Sequence, residues 1–216
     1  VNTLIGTKGV GLTSGYLYPG ATYPYGMVQF TPSYFSKRSG FVINQLSGGG
    51  CEHMGNFPTF PVKGKLKMSP DNILNYRINI SEEKGHAGYY EAMVQEDIKA
   101  KLTVTERTGM ASYEYPADQQ YGTVIIGGGI SATPIEQAAI VITAPNKCEG
   151  YAEGGNFCGL RTPYKVYFVA EFDTDALESG TWKRNELKPN TTFAEGEYSG
   201  VYFTFDVKKK KNIQYK

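Results

Sequence analysis

Strict alternation of apolar and polar side chains, repeated in run after run between turn residues, narrows the fold of this chain more than any other feature. In DIKAKLTVTER (97–107), Ile98, Ala100, Leu102 and Val104 fall on one side of an extended chain, and Lys99, Lys101, Thr103 and Thr105 on the other. A period of two is the signature of a strand with one buried face. YKVYFVAEF alternates Val166, Phe168, Ala170 and Phe172 against Tyr167, Val169 and Glu171. GVYFTFDVK alternates Val201, Phe203, Phe205 and Val207 against Tyr202, Thr204 and Asp206. ASYEYP and TVIIGGG follow the first run at hairpin spacing, and YGMVQFTP reads as a short strand near the amino terminus. Turn residues separate the runs, as an antiparallel sandwich requires. PIEQAAIVI (134–142) fits a helix or a strand equally well. The abundance of Tyr (17), Phe (11) and Gly (26) agrees with strands joined by tight turns. With no repeat, low-complexity linker or boundary, residues 1–216 read as one all-β domain, a large antiparallel β-sandwich with few or no helices.

Charge excludes some functions. The net charge of +1 provides no general attraction for nucleic acid or an anionic membrane. Lys208–Lys211, the single charge run, reads as a solvated strand end. No apolar stretch approaches the roughly 20 residues of a membrane helix. The chain starts at Val1 without Met, which leaves room for a leader removed before this point.

Reactive side chains gather in GFVINQLSGGGCEHMG (40–55), where Gly48 to Gly50 precede Cys51, Glu52 and His53. Cys51 and His53 have one intervening residue, short of zinc-pair spacing, and the other histidine, His86, stands alone; no metal site is expected. A Cys51 thiolate paired with His53 or His86 is a conceivable nucleophile, but nothing recognisable surrounds it. The acids Glu82, Glu83, Glu91, Glu96 and Asp97 read as surface groups, with no evident catalytic pair. Cys148 and Cys158 flank a short Gly-rich loop and could bridge in an oxidising compartment, leaving Cys51 over. Gly9, Gly11 and Gly15 are spaced one residue too long for a dinucleotide fingerprint. SGYLYPGATYPYG sets four tyrosines among Pro and Gly, and such rings either stack on sugars or pack outside a sheet.

VNTLIGT, YPGATYPYGMVQFTP, SGF, LSGGGC, GYYEAMV, IKAKLTVTERTGMASYEYP and VYFVAEF occur in that order. Together they resemble the amino-terminal domain of the calcium-dependent exo-α-mannosidases of glycoside hydrolase family 92, over nearly the whole chain. The resemblance implies a galactose-mutarotase-like supersandwich, followed after residue 216 by an (α/α)6 domain with the general acid, the base carboxylates and most calcium ligands. This chain would then supply no catalytic residue and bind no calcium itself. It would form one wall of a pocket for a mannose-containing glycan, through Asn44, Gln45, Ser47, Gly48, Gly49 and Cys51, with Tyr16 and Tyr25 as aromatic candidates. Where family members carry Ser-His-Thr-His before the loop's Leu, this chain has Val42, Ile43, Asn44 and Gln45, whose amides can still meet hydroxyls. The resemblance also implies export to a bacterial periplasm or cell surface. A stand-alone carbohydrate-binding module is the second reading, and a cysteine hydrolase built on Cys51 the third.

Overall fold

A computed structural model describes residues 2–7, 17–33, 40–46, 51, 53–71 and 79–216. Its strands, numbered in chain order, form three antiparallel sheets. The eight-stranded sheet runs β1 (Ala21–Thr22), β2 (Gln29–Pro32), β3 (Phe41–Val42), β4 (Thr59–Lys63), β9 (Tyr121–Gly127), β16 (Ser199–Asp206), β13 (Glu178–Lys183), β14 (Glu186–Pro189). The four-stranded sheet runs β12 (Leu160–Glu171), β11 (Lys147–Phe157), β10 (Ile135–Ala144), β15 (Phe193–Glu195). The five-stranded sheet runs β17 (Asn212–Tyr215), β8 (Gly109–Glu114), β7 (Ile98–Val104), β6 (Tyr89–Val94), β5 (Ile80–His86).

The period-2 reading holds on β7, where Ile98, Ala100, Leu102 and Val104 are all buried. The window that fitted helix or strand is β10, whose Ala138, Ile140 and Ile142 enter the core. The smaller sheets join into one layer opposite the eight-stranded sheet, through a bridge between Phe172 and Tyr215 and paired backbone bonds between Glu171 and Lys216. The Phe172 ring meets Phe203 at 4.9 Å, Phe205 at 5.1 Å and Tyr215 at 5.1 Å.

β16 departs from its sequence pattern. Tyr202 and Thr204, expected on an open face, are buried as deeply as Val201 and Phe203. Chain crosses the back of the sheet: Thr204 meets the Thr123 hydroxyl at 2.8 Å, Thr123 donates to the Gly64 carbonyl at 2.7 Å, and Ser69 donates to the Arg184 carbonyl. Alternation records chemistry along a strand, while burial depends on what later covers its polar side.

At the core, Thr59 and Tyr113 hydroxyls lie 3.0 Å apart and the Tyr113 and Tyr215 hydroxyls 3.1 Å apart. Burial pushes Tyr113 and Tyr215 well above the ordinary phenol range, and does the same to Tyr115. A raised value means that the folded state keeps protons the unfolded chain would release. The resulting stabilisation is complete below about pH 10 and is lost as pH climbs towards the folded values. Unfolding free energies measured from neutrality upward should stay level and then fall, with tyrosinate absorbance appearing together with unfolding. Tyrosinate appearing with the fold intact would show these phenols to be accessible.

Candidate functional site

Two segments, 43–46 and 53–57, meet at one end of the sandwich and define the site. Gln45 and Met54 form an antiparallel bridge, and Asn44 bridges Gln29 in parallel. The Asn44 side chain accepts from the Asn56 backbone N–H at 2.8 Å and donates its Nδ2–H to the Asn56 side-chain Oδ1 at 3.0 Å. Asn44 is therefore a clamp between the segments and keeps one amide hydrogen for another partner. Gln45 points inward and is buried.

Cysteine pairing differs from the expectation. Cys51, not Cys148, bonds Cys158, with Cα atoms 5.4 Å apart, and Cys148 is a free thiol buried in the core. On β11, Cys148 belongs to the inward row with Ala152, which holds it away from the hairpin tip that carries Cys158. The bond removes a thiolate at Cys51 as a nucleophile. It also ties the Cys51 segment to the β11–β12 hairpin, which nothing in the linear sequence connects.

His53 is buried behind this tie. Its Nδ1 lies 3.1 Å from the Asn156 carbonyl, which can only accept, so Nδ1 is the donor of that bond. The edges of Phe157 and Tyr164 enclose the ring at 5.2 Å and 5.6 Å. The backbone beside it is unusual. Met54 (φ 58°), Gly55 (φ 74°) and Phe57 (φ 54°) are left-handed, a conformation that costs about 1–3 kcal/mol at a non-glycine residue. The buried Phe57 ring, 4.1 Å from Phe168, offsets that cost and anchors the segment.

Polar groups collect here without partners. The Asn56 Nδ2, the Thr133 hydroxyl and the Tyr164 hydroxyl are three of the five buried side-chain polar atoms lacking a hydrogen bond among the described residues. The 131–134 segment reaches them because Ala132 N–H donates to the Met54 carbonyl at 2.8 Å. Unpaired buried donors and acceptors cost about 1–3 kcal/mol each, a cost that a bridging water or partner group would recover.

Of the residues singled out from sequence, Asn44, Gln45 and Cys51 lie together in this shell. Ser47, Gly48, Gly49 and Tyr16 lie outside the described residues, as does Glu52. Tyr25 stands fully exposed on a left-handed turn. The Gln29 N–H bonds the Ile43 carbonyl at 2.9 Å, so the strand that follows this turn runs beside residues 43 and 44. Asn56, Thr133 and Tyr164 were missed, since only the tertiary approach of three distant segments unites them.

The acids keep to the surface. Asp97 pairs with Lys63 at 2.9 Å. Glu91 accepts from the Tyr89 hydroxyl at 2.7 Å and lies 3.5 Å from Lys99; the Tyr89 bond first, then Lys99, holds its carboxyl below the usual range. Among the described residues no three His, Cys, Asp or Glu side chains converge as metal ligands, and no helix is long and apolar enough to cross a membrane.

Residues 1–216 match the family model described as the glycosyl hydrolase family 92 N-terminal domain. A family GH92 alpha-mannosidase from Bacteroides thetaiotaomicron superposes with a TM-score of 0.83 at 24% identity, over 100% of this chain and 32% of that one. A family GH92 inverting mannosidase from Bacteroides thetaiotaomicron VPI-5482 gives 0.81 at 23% identity, over 100% and 30%. An uncharacterized secreted glycosidase of Arthroderma benhamiae is 31% identical over 136 residues, 54% of this chain and 17% of that protein. The chain thus spans under a third of each solved relative and 17% of the curated one.

Proposed function

The chain belongs to glycosyl hydrolase family 92, as its amino-terminal domain, and from that premise we propose that it serves as the non-catalytic wall of an exported exo-α-mannosidase. The supporting observation is the set of unpartnered polar atoms, Asn56 Nδ2, Thr133 and Tyr164, on the segments around the Cys51–Cys158 bond. Such atoms are suited to the hydroxyls of a sugar at the junction with a second domain.

In an inverting glycosidase a carboxylic acid protonates the leaving oxygen while a carboxylate on the opposite face activates water. By the resemblance, both carboxyls and the calcium belong to the (α/α)6 domain. What this chain contributes is position. The Asn44–Asn56 clamp and the Cys51–Cys158 bond fix the wall against which a terminal mannose would be held. The disulfide favours an oxidising compartment, and the secreted relative agrees with export.

The decisive assay uses the enzyme extended through its catalytic domain, on α-linked mannobiose. Mannose release should require calcium and stop with a chelator, while the 216-residue chain alone releases none. In the extended enzyme, Asn44→Ala should lower kcat/KM between about tenfold and a hundredfold, because a wall displaced by about an ångström misplaces the substrate. Hydrolysis by the chain alone would overturn the division of labour. Unchanged kcat/KM in Asn44→Ala would remove the loop from the pocket.

A further inference from the structure

The outward face of the four-stranded sheet has no role in the junction described above, yet it carries the exposed rings Tyr167 and Phe193 beside the half-buried Tyr151. Register places the side chains in cross-strand rows. Phe193, Val141, Glu149 and Val169 form one row, and Glu195, Ala139, Tyr151 and Tyr167 form the next. Their neighbours in sequence, Ala138, Ile140, Cys148, Ala152 and Ala170, point the other way into the core. Tyr167 is 72% exposed, and Val169 and Phe193 are each 54% exposed. Between the rows lies an open cleft of about 370 Å³, lined on this face by Val141, Glu149, Tyr151, Tyr167, Val169 and Phe193. That size falls within the range of small-ligand clefts.

We propose that this face is a second saccharide-binding surface, separate from the junction pocket, with Tyr151, Tyr167 and Phe193 as stacking rings and Glu149 as the hydroxyl-directed acceptor. Three observations select a sugar as its occupant. The Tyr151 and Tyr167 rings stand 6.0 Å apart, directly paired across β11 and β12. Lys165, ion-paired with Glu153, sits 4.2 Å from the Tyr151 ring centre and 5.5 Å from that of Tyr167. Lys165 is next to Tyr167 on the same face, away from Val169, so it backs the rings from the side opposite the cleft and braces them. The third observation is charge. Glu149, in the middle of the apolar row, makes no ion pair among the described residues, and neither does Glu195 beside Ala139.

An apolar protein surface closing over Glu149 would strip water from a carboxylate and return nothing, a costly arrangement. A sugar presents C–H faces to the rings and hydroxyl donors to the carboxylate at once. The choice of a mannose-based probe rests on the glycosidase reading; the ring face does not.

The test titrates the 216-residue chain with α-linked manno-oligosaccharides of increasing length, followed by calorimetry and by NMR of the tyrosine rings. Binding should perturb the Tyr151 and Tyr167 resonances. Tyr167→Ala, at a solvent-facing position, should weaken it about tenfold, and Glu149→Gln about threefold. Met110→Ala, exposed on β8 of the five-stranded sheet, should bind as the parent does. No binding across the series, binding indifferent to Tyr167→Ala, or binding lost only in Asn44→Ala would each overturn the proposal. So would a dimer that Tyr167→Ala dissociates, since the face would then be covered by a second copy. Tyr167-dependent binding of a different saccharide would uphold this surface and count against mannose as the enzyme's sugar.

Discussion

Cys158→Ser should lower the unfolding free energy by about 3–4 kcal/mol, seen as an earlier urea midpoint, and the same loss should follow when the parent chain is reduced. The bond spans a sequence separation of 107, so its absence frees a long loop in the unfolded ensemble. Cys148→Ala should cost only about 1 kcal/mol, the loss of one small buried group. Reductant should then leave Cys158→Ser unchanged and still destabilise Cys148→Ala. The opposite pattern would mean that Cys148 is the bonded partner. Beyond stability, the variant releases the Cys51 segment from the β11–β12 tip, so the His53 contact with Asn156 should loosen with it.

The second large effect is expected at Gly129. A Cβ built there would lie 1.9 Å from the Gly196 carbonyl oxygen and 2.9 Å from its carbon, both backbone atoms that no rotamer change can move aside. Gly129 is also held by its N–H to the Ser199 carbonyl at 3.0 Å and by its carbonyl to the Tyr198 N–H at 2.9 Å. Gly129→Ala must separate these segments, at a cost of about 3 kcal/mol or more. The displacement passes along the chain to Ala132, whose bond to Met54 supports the candidate site. Hydrogen exchange should therefore quicken at Ala132 and Asn56 as well as near Gly129. Equal exchange at Ala132 would show that the two regions move independently.

What could be read from the linear chain is what depends on neighbours along it. Ile98, Ala100, Leu102 and Val104 show their common burial in their spacing, and the all-β class follows from several such runs. PIEQAAIVI shows the limit, because its apolar residues satisfy two periods, and the sheet partners Glu149 and Glu195 settle the matter only in space. The site was half legible. Asn44, Gln45 and Cys51 lie in a conspicuous motif, whereas Tyr164 and Thr133 arrive from remote strands and connections with no local signal. Closeness in sequence left a Cys148–Cys158 bridge open without deciding it. β-strand polarity directs one into the core and leaves the other at a hairpin tip, and it is the tip that meets Cys51.

That arrangement has a consequence for the order of events as the chain is made. Cys51 emerges first, and Cys148 follows ten residues (158 − 148) ahead of Cys158, so the wrong thiol is available before the right one. Oxidation outrunning strand assembly would capture Cys148 and strand Cys158. Docking of β11 against the core buries the Cys148 thiol and, through that burial, raises its pKa, which suppresses the thiolate that disulfide exchange needs. Tertiary assembly thus favours the Cys51–Cys158 link by taking the competing thiol out of reach.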